Sequence, residues 1–386
     1  MVTIRACNSY SPEVVEKALD QSLLDLGGLE SFVQAGETVL LKVNLVIGKG
    51  PEKAATTHPA LVAALARKLI ALGCRVLIGD SPGGPFNPAT LKIQYQITGM
   101  ADAAKESGAE LSYDTSQEEV QLPEGVMLKR LTLTGMSQKA DKVISLCKLK
   151  THSMMVYTGA AKNMFGTVPG TTKAEYHVRM PEIPDFAEAI IDICEATRPV
   201  LSVMDAVIGM EGNGPTGGSP RAIGCLLASA NPYELDLAAA SLIGLGPEDV
   251  YTLSSSIRRG LTPEKPELIG DDSSPYIIED FRMPDHVHTN LQQGGLLPPI
   301  LMKALRPKVV FDPQKCLGCG HCADNCPAKV ITMKPVTGKA ASRTKAKRLP
   351  SVDYRRCIRC YCCQELCPQV AVKIRESLIF KIANRI

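Results

Sequence analysis

Two stretches towards the end of the chain repeat one cysteine spacing. Cys316, Cys319, Cys322 and Cys326-Pro327 read C-x2-C-x2-C-x3-C-P, and Cys357, Cys360, Cys363 and Cys367-Pro368 read the same. A 4Fe-4S cubane needs four thiolates at tetrahedral corners, and three cysteines spaced by two residues wrap one cluster in a single tight loop. The fourth, with its proline, is thrown clear of that loop and ligates the neighbouring cluster. The spacing therefore predicts two 4Fe-4S clusters. One is held by Cys316, Cys319, Cys322 and Cys367, the other by Cys357, Cys360, Cys363 and Cys326. Zinc knuckles seldom use a fourth cysteine three residues on with proline behind it. Nine of the 14 cysteines lie between residues 316 and 367, a metal-site distribution rather than a disulfide framework. Cys362 falls outside the spacing and reads as a packing residue.

A second concentration of chemistry is KLKTHSMMVYTGAAKNMFG, residues 148–166. Lys148, Lys150, His152, Lys162 and Asn163 offer cations and hydrogen-bond groups there with no Asp or Glu among them. The run follows an apolar strand, so its polar groups fall at the strand's carboxyl end, where open α/β sheets bind ligands. Thr158-Gly159 is placed to start a helix whose free N–H groups would accept an anion. A carboxylate or phosphate ligand follows, with Lys150 and Lys162 as charge clamp and His152 as proton donor. For His152 alone a satisfied loop residue is the simpler reading; the cluster as a whole points to a site.

Other loops reach the same place if the sheet is parallel. Lys42 and Asn44 lie within LLKVNLV, where a buried lysine needs a partner. Thr56 to Pro59, Asp80 to Gly84, Asp205 and Glu211 to Pro215 flank strand ends. Lys42, Asn44, Lys148, Asn163 and Asn213 are the candidate substrate-binding residues. Gly212, Gly214 and Gly217 match G-x-G-x-x-G, but the following segment reads as a strand rather than the required helix. No G-x-x-x-x-G-K-[ST] or G-x-S-x-G motif occurs.

The elements that must position these groups read as an α/β layered domain over residues 1–260. Short apolar strands are expected at Val2–Cys7, Thr38–Val46, Arg75–Asp80, Lys142–Cys147, Val200–Val207 and Ala222–Ala228. Helices are expected at Pro12–Leu26, Pro59–Ala71, Pro184–Ala196 and Glu234–Leu245, and three of the four open on proline. Continuous apolar strands alternating with helices argue for a mostly parallel sheet covered on both faces. Prolines at 263, 266, 275, 284, 298, 299 and 307 make residues 261–308 an extended connector. A small α+β bacterial-type ferredoxin domain follows over 309–372. Its insertion, residues 334–350, carries six basic residues and no acidic one. That charge suits a solvated loop or a docking surface for an acidic redox partner. Residues 373–386 place Leu378, Ile379, Ile382 and Ile386 on one helical face, suited to packing on the body or on a second subunit of a homo-oligomer.

A net charge of +3 gives no case for nucleic acid. No apolar run reaches the length of a transmembrane helix, and the first residues lack the pattern of a signal peptide. A cytoplasmic, reducing and anaerobic setting is expected.

The chain resembles the domain of unknown function 362 family, often fused to a two-cluster ferredoxin domain. The resemblance rests on LLKVNLV, THPALVAAL, VLIGDSPGG, the 148–166 run, MEGNGPTGG and both cysteine motifs. It implies iron–sulfur electron transfer and leaves the activity of the first domain open. His152, Gly159, Lys162 and Pro169-Gly170 are also similar to the histidine–glycine–lysine run of lactate racemase-type proteins, implying an acid-binding pocket. Two functions follow. The chain is an electron carrier whose α/β domain recognises a redox partner, or an oxidoreductase or cofactor-maturation enzyme whose α/β domain binds a small anionic substrate fed by the clusters.

Overall fold

The computed structural model describes residues 1–170, 172–285, 307–337 and 344–375. Nine strands form the central sheet: β1 (Val2–Ala6), β2 (Thr38–Lys42), β3 (Arg75–Gly79), β4 (Glu110–Leu111), β7 (Lys142–His152), β8 (Val156–Thr158), β9 (Leu201–Glu211), β10 (Ser219–Ser229) and β11 (Leu268–Gly270). Their order is β11-β1-β10-β9-β7-β2-β3-β4, with β8 folded back on β7. β9, β7, β2, β3 and β4 run parallel; β10 runs antiparallel to both its neighbours. The fold is thus a mixed, mostly parallel α/β sheet.

The expected strands are all present, with shifted ends. β2 stops at Lys42 because Val43 to Val46 turn away from the ladder, Val46 with φ of 54°. β7 and β9 instead run four or five residues further, to His152 and Glu211. The helices Pro12–Asp25, Pro59–Ala71, Ile183–Thr197 and Pro232–Ser241 answer the four expected ones. Their apolar sides cover both sheet faces and bury Leu19, Leu61, Leu65 and Ile190 completely. At about 25 cal/mol per Å², such burial is the main force holding the layers together.

A hairpin, β5 (Gln117–Gln121) and β6 (Arg130–Thr134), stands off the sheet. Its turn is anchored by buried Asp192, which accepts hydrogen bonds from the N–H groups of Val126, Met127 and Leu128. Within the connector, β11 adds to the sheet edge beside β1, and a single 3-10 turn follows at Ser274–Tyr276.

The cysteine-rich domain has two small antiparallel ladders. β12 (Lys308–Phe311) pairs with β15 (Val372–Arg375), and β13 (Ile331–Pro335) pairs with β14 (Arg348–Val352). The basic insertion is therefore carried between the two strands of a hairpin, with Lys339 and Arg343 outside the described residues. Residues 373–375 complete β15 instead of opening the expected terminal helix; the rest of that segment lies outside the described residues. Val309, Cys326, Val330, Ile331 and Tyr361 share one apolar core with Phe186 and Ile190 of the first domain. This continuity seats the cysteine motifs against the sheet.

Candidate functional site

The floor of the site is built where β2, β3 and β7 end side by side. Lys42, the last residue of β2, points its ammonium at Asp80 just past β3, with 2.7 Å between Nζ and Oδ1. It also donates to Val43 O at 2.7 Å and Asn163 Oδ1 at 3.1 Å. Asn163 donates to Lys42 O and Ser145 Oγ, and accepts from Asn44 Nδ2 at 3.0 Å. Gly166 packs against this pair so closely that an added Cβ would overlap Asp80 Oδ1 and Lys42 Nζ. Lys150 donates to Asn44 Oδ1 and Ala55 O, both at 2.5 Å, and no carboxylate of the described residues pairs with it. Burial lowers the pKa of Lys42 and, with Lys162 and Lys148 adding repulsion, holds that of Lys150 well below the usual lysine range.

One wall is the short helix Ala160–Asn163, which carries Lys162 and Asn163. The acceptor at its N-terminus is the chain's own: Asp236 accepts from Ala160 N at 2.5 Å and Ala161 N at 3.0 Å, while burial raises its carboxyl to about 7. The expected ligand position beside Thr158-Gly159 is therefore filled by a side chain, and a Cβ at residue 159 would collide with that carboxylate. Lys162 Nζ sits 5.8 Å from the centre of the Phe165 ring. Two more groups come from helix Thr172–Arg179, which the sequence did not single out. Lys173 donates to Ser81 O, and burial lowers its pKa to about 7. His177 stacks on Phe186 with ring centres 4.5 Å apart.

The roof comes from the cysteine-rich domain. Helix Cys362–Glu365 lies over the loop 211–218, with Gln364 Nε2 donating to Asn213 O at 2.9 Å and Thr216 Oγ1 to Glu365 O at 2.8 Å. It brings Glu365 Oε1 to 2.9 Å from Nε2 of buried His152. Nδ1 of His152 accepts from the N–H groups of Met154 and Met155, so the neutral ring holds its proton on Nε2. Burial and the neighbouring Lys162 lower His152 to about 4. Burial opposes ionisation of Glu365, but His152, Lys162 and His177 outweigh it and hold the carboxyl at about 2.

Floor, wall and roof enclose a cavity of about 530 Å³, within the usual size range of small-molecule sites. Lys42, Lys150, Lys162, Lys173, His152 and His177 line it from one side, and Cys326, Cys362 and Glu365 from the other. Five buried side-chain polar atoms of this lining lack a well-directed hydrogen bond; Asp80 Oδ1 meets Lys42 and His152 Nε2 meets Glu365 Oε1 as ion-pair contacts, which leaves Ser81 Oγ and His177 Nδ1. Buried polar atoms are ordinarily satisfied, so Ser81 Oγ and His177 Nδ1 are positions where a ligand or water can bond.

The cysteines are interwoven. Cys322 lies within electrostatic reach of Cys316, Cys319 and Cys367, and these four surround a small cavity of their own. Cys363 is similarly close to Cys360 and Cys357 of its own motif and to Cys322 and Cys326 of the other. Both groupings keep the fourth cysteine of one motif beside the first three of the other, a donor set that fits iron–sulfur clusters. Cys319 is exposed, whereas Cys326 and Cys363 are buried.

Of the candidate residues, Lys42, Asn44, Lys150, His152, Lys162 and Asn163 converge on the cavity. Lys148 and Asn213 lie outside its lining. Lys148 pairs with buried Asp205 at 2.8 Å and donates to Tyr10 Oη at 2.9 Å, beneath a stacked Tyr10–His58 pair. Asn213 binds Asp285 at 2.7 Å on an exposed side.

A layered α/β sheet roofed by paired cysteine motifs defines an iron–sulfur protein of the electron-transfer kind. Residues 39–241 match the family model described as Domain of unknown function (DUF362), and residues 315–371 match that described as 4Fe-4S dicluster domain. The chain belongs to the DUF362 family. It is 31% identical over 293 residues to a thylakoid-associated protein of Synechocystis sp., covering 74% of this chain and 88% of that one. It is 36% identical over 77 residues to an NADH-quinone oxidoreductase subunit I of Geobacter metallireducens, covering 20% and 56% of the two chains. Among solved structures it is similar to the lactate racemase apoprotein of Thermoanaerobacterium thermosaccharolyticum, at 13% identity and a TM-score of 0.37 over 60% of this chain and 54% of that one. No helix of the described residues is long and apolar enough to cross a membrane.

Proposed function

We propose that this chain is a two-cluster electron relay that exchanges single electrons between a redox partner and a small anion held in the cavity. The observation that carries this is the lining itself: lysines on one side, Lys42 and Lys150 fully buried and Lys162 and Lys173 partly so, and on the other Cys326 and the helix containing Cys363, both assigned to the second cluster. Bound clusters would supply one-electron transfer over the short gap between the cysteine sets. The first set, with exposed Cys319, is the entry point; Lys345, Lys347 and Arg348 of the adjoining hairpin favour an acidic partner there. The lysines hold negative charge, and His152 keeps a proton on Nε2 against Glu365 at the cavity wall. Electron transfer without a small substrate is the second reading, with the α/β domain serving to recognise the partner.

Replacing His152 and Lys162 by alanine in anaerobic holoprotein separates the two. The relay reading expects cluster spectra and reduction by dithionite to persist while the effect of added small anions on the clusters disappears. Variants indistinguishable from the parent in that response would favour the carrier.

A further inference from the structure

The charges inside the cavity do not cancel. Four lysines, Lys42, Lys150, Lys162 and Lys173, face two carboxylates, Asp80 and Glu365. Lys42 is matched by Asp80 at 2.7 Å, and Lys162 stands in the field of Glu365. Lys150 and Lys173 hydrogen-bond only to neutral acceptors, the amide of Asn44 and the carbonyls of Ala55 and Ser81, and share the fields of Asp80 and, for Lys150, Glu365 with the other lysines. Charged rim residues such as Lys329, Asp324 and Glu175 are exposed and screened by solvent. Beside Lys150 and Lys173 lie Ser81 Oγ and His177 Nδ1, buried and without well-directed bonds, and His152 Nε2, which faces Glu365 Oε1 at 2.9 Å. Val46, Phe165, Pro215 and Leu366 supply apolar surface to the same lining.

We infer that the cavity is built for a small organic dianion, a dicarboxylate or a phosphomonoester, with its two charges set between Lys150 and Lys173 and its carbon body against the apolar wall. This rests on the reading of the cavity as a ligand site. Burial favours the neutral amine at both lysines, so an anionic group set against each is what holds both protonated, and two such positions call for two charges. The competing account is that the surplus cations only offset the negative charge of the second cluster, in which case no ligand is required.

The test uses anaerobic holoprotein, with malonate and methyl phosphate as dianions and acetate as the monoanion. Calorimetry reads binding, and electron paramagnetic resonance reads cluster potentials with and without each anion. At least one dianion is expected to bind ten or more times more tightly than acetate. Malonate over methyl phosphate would select the carboxylate form of the ligand, and the reverse the phosphate form. Lys150→Met and Lys173→Gln should each remove most of that preference; the second lies on a less buried helix and keeps the test open if the first fails to fold. Exposed Lys53→Met should retain the preference. Equal binding and equal potential shifts with acetate and both dianions would overturn the dianion inference while leaving the ligand site standing. Variants that shift the potential while no anion binds the parent protein would overturn both and establish the charge-offset account.

Discussion

Lys42 is fully buried, and its ammonium meets Asp80, Val43 O and Asn163. Lys42→Met keeps the stem's volume but leaves the Asp80 carboxylate charged beneath the cavity floor. Breaking a buried pair from one side costs about 3–5 kcal/mol; the neighbouring cavity can lend water to Asp80, which favours about 3. The double variant Lys42→Met/Asp80→Asn carries no stranded charge, and the new amide oxygen still accepts the Leu45 N–H bond now made to Asp80 Oδ2 at 2.8 Å. It should lose only about 1 kcal/mol, making it about 2 kcal/mol more stable than the single lysine variant. Guanidinium midpoints followed by far-ultraviolet circular dichroism measure this, with thermal-inactivation half-lives as the second readout where unfolding is irreversible. A double variant as unstable as the sum of the two singles would refute the pairing as the element that shapes the floor.

Gly159→Ala pushes a methyl group into Asp236 and should destabilise the chain by about 1–3 kcal/mol, read as a lower melting temperature, while weakening anion binding through misplaced Lys162. Lys173 has its pKa lowered to about 7 by burial, so at pH 8 the folded chain binds less than one proton there and the unfolded chain a full one. Stability contributed at this site therefore rises from pH 7 towards pH 10, and a Lys173→Met variant should lose that rise in denaturation midpoints. Malonate binding at pH 8 should take up protons, measured as a dependence of the calorimetric heat on buffer ionisation enthalpy. Cys367→Ser should perturb the cluster of the first motif and leave that of Cys357, Cys360 and Cys363 spectroscopically intact, because the fourth ligand is exchanged between motifs.

The parts of this architecture written in local pattern were legible in the sequence. Pro59–Ala71 begins on proline and repeats its apolar residues at helical spacing, and it forms with those bounds. The apolar strands read correctly in place but not in length, since β7 continues through Lys148, Lys150 and His152, which look polar and loop-like. Those lysines stay in a buried strand because partners arrive from far along the chain: Asp205 for Lys148, and Asn44 and Ala55 for Lys150. The hairpin β5–β6 was not foreseen because QEEVQ carries almost no apolar signal and is held by Asp192 some 65 residues away. The same applies to Glu365 beside His152 and to Asp236 at the helix Ala160–Asn163. Each joins segments that no periodicity connects, so only the folded chain brings cluster ligands and lysines to one cavity.

The most direct measurement is electron–nuclear double resonance on the reduced holoprotein with carbon-13 malonate bound. A resolved carbon-13 coupling to the reduced iron, lost in Lys150→Met, is the result expected of an anion seated against the second cysteine set. Malonate shown by calorimetry to be bound, yet with no carbon coupling to either paramagnetic centre, would contradict it.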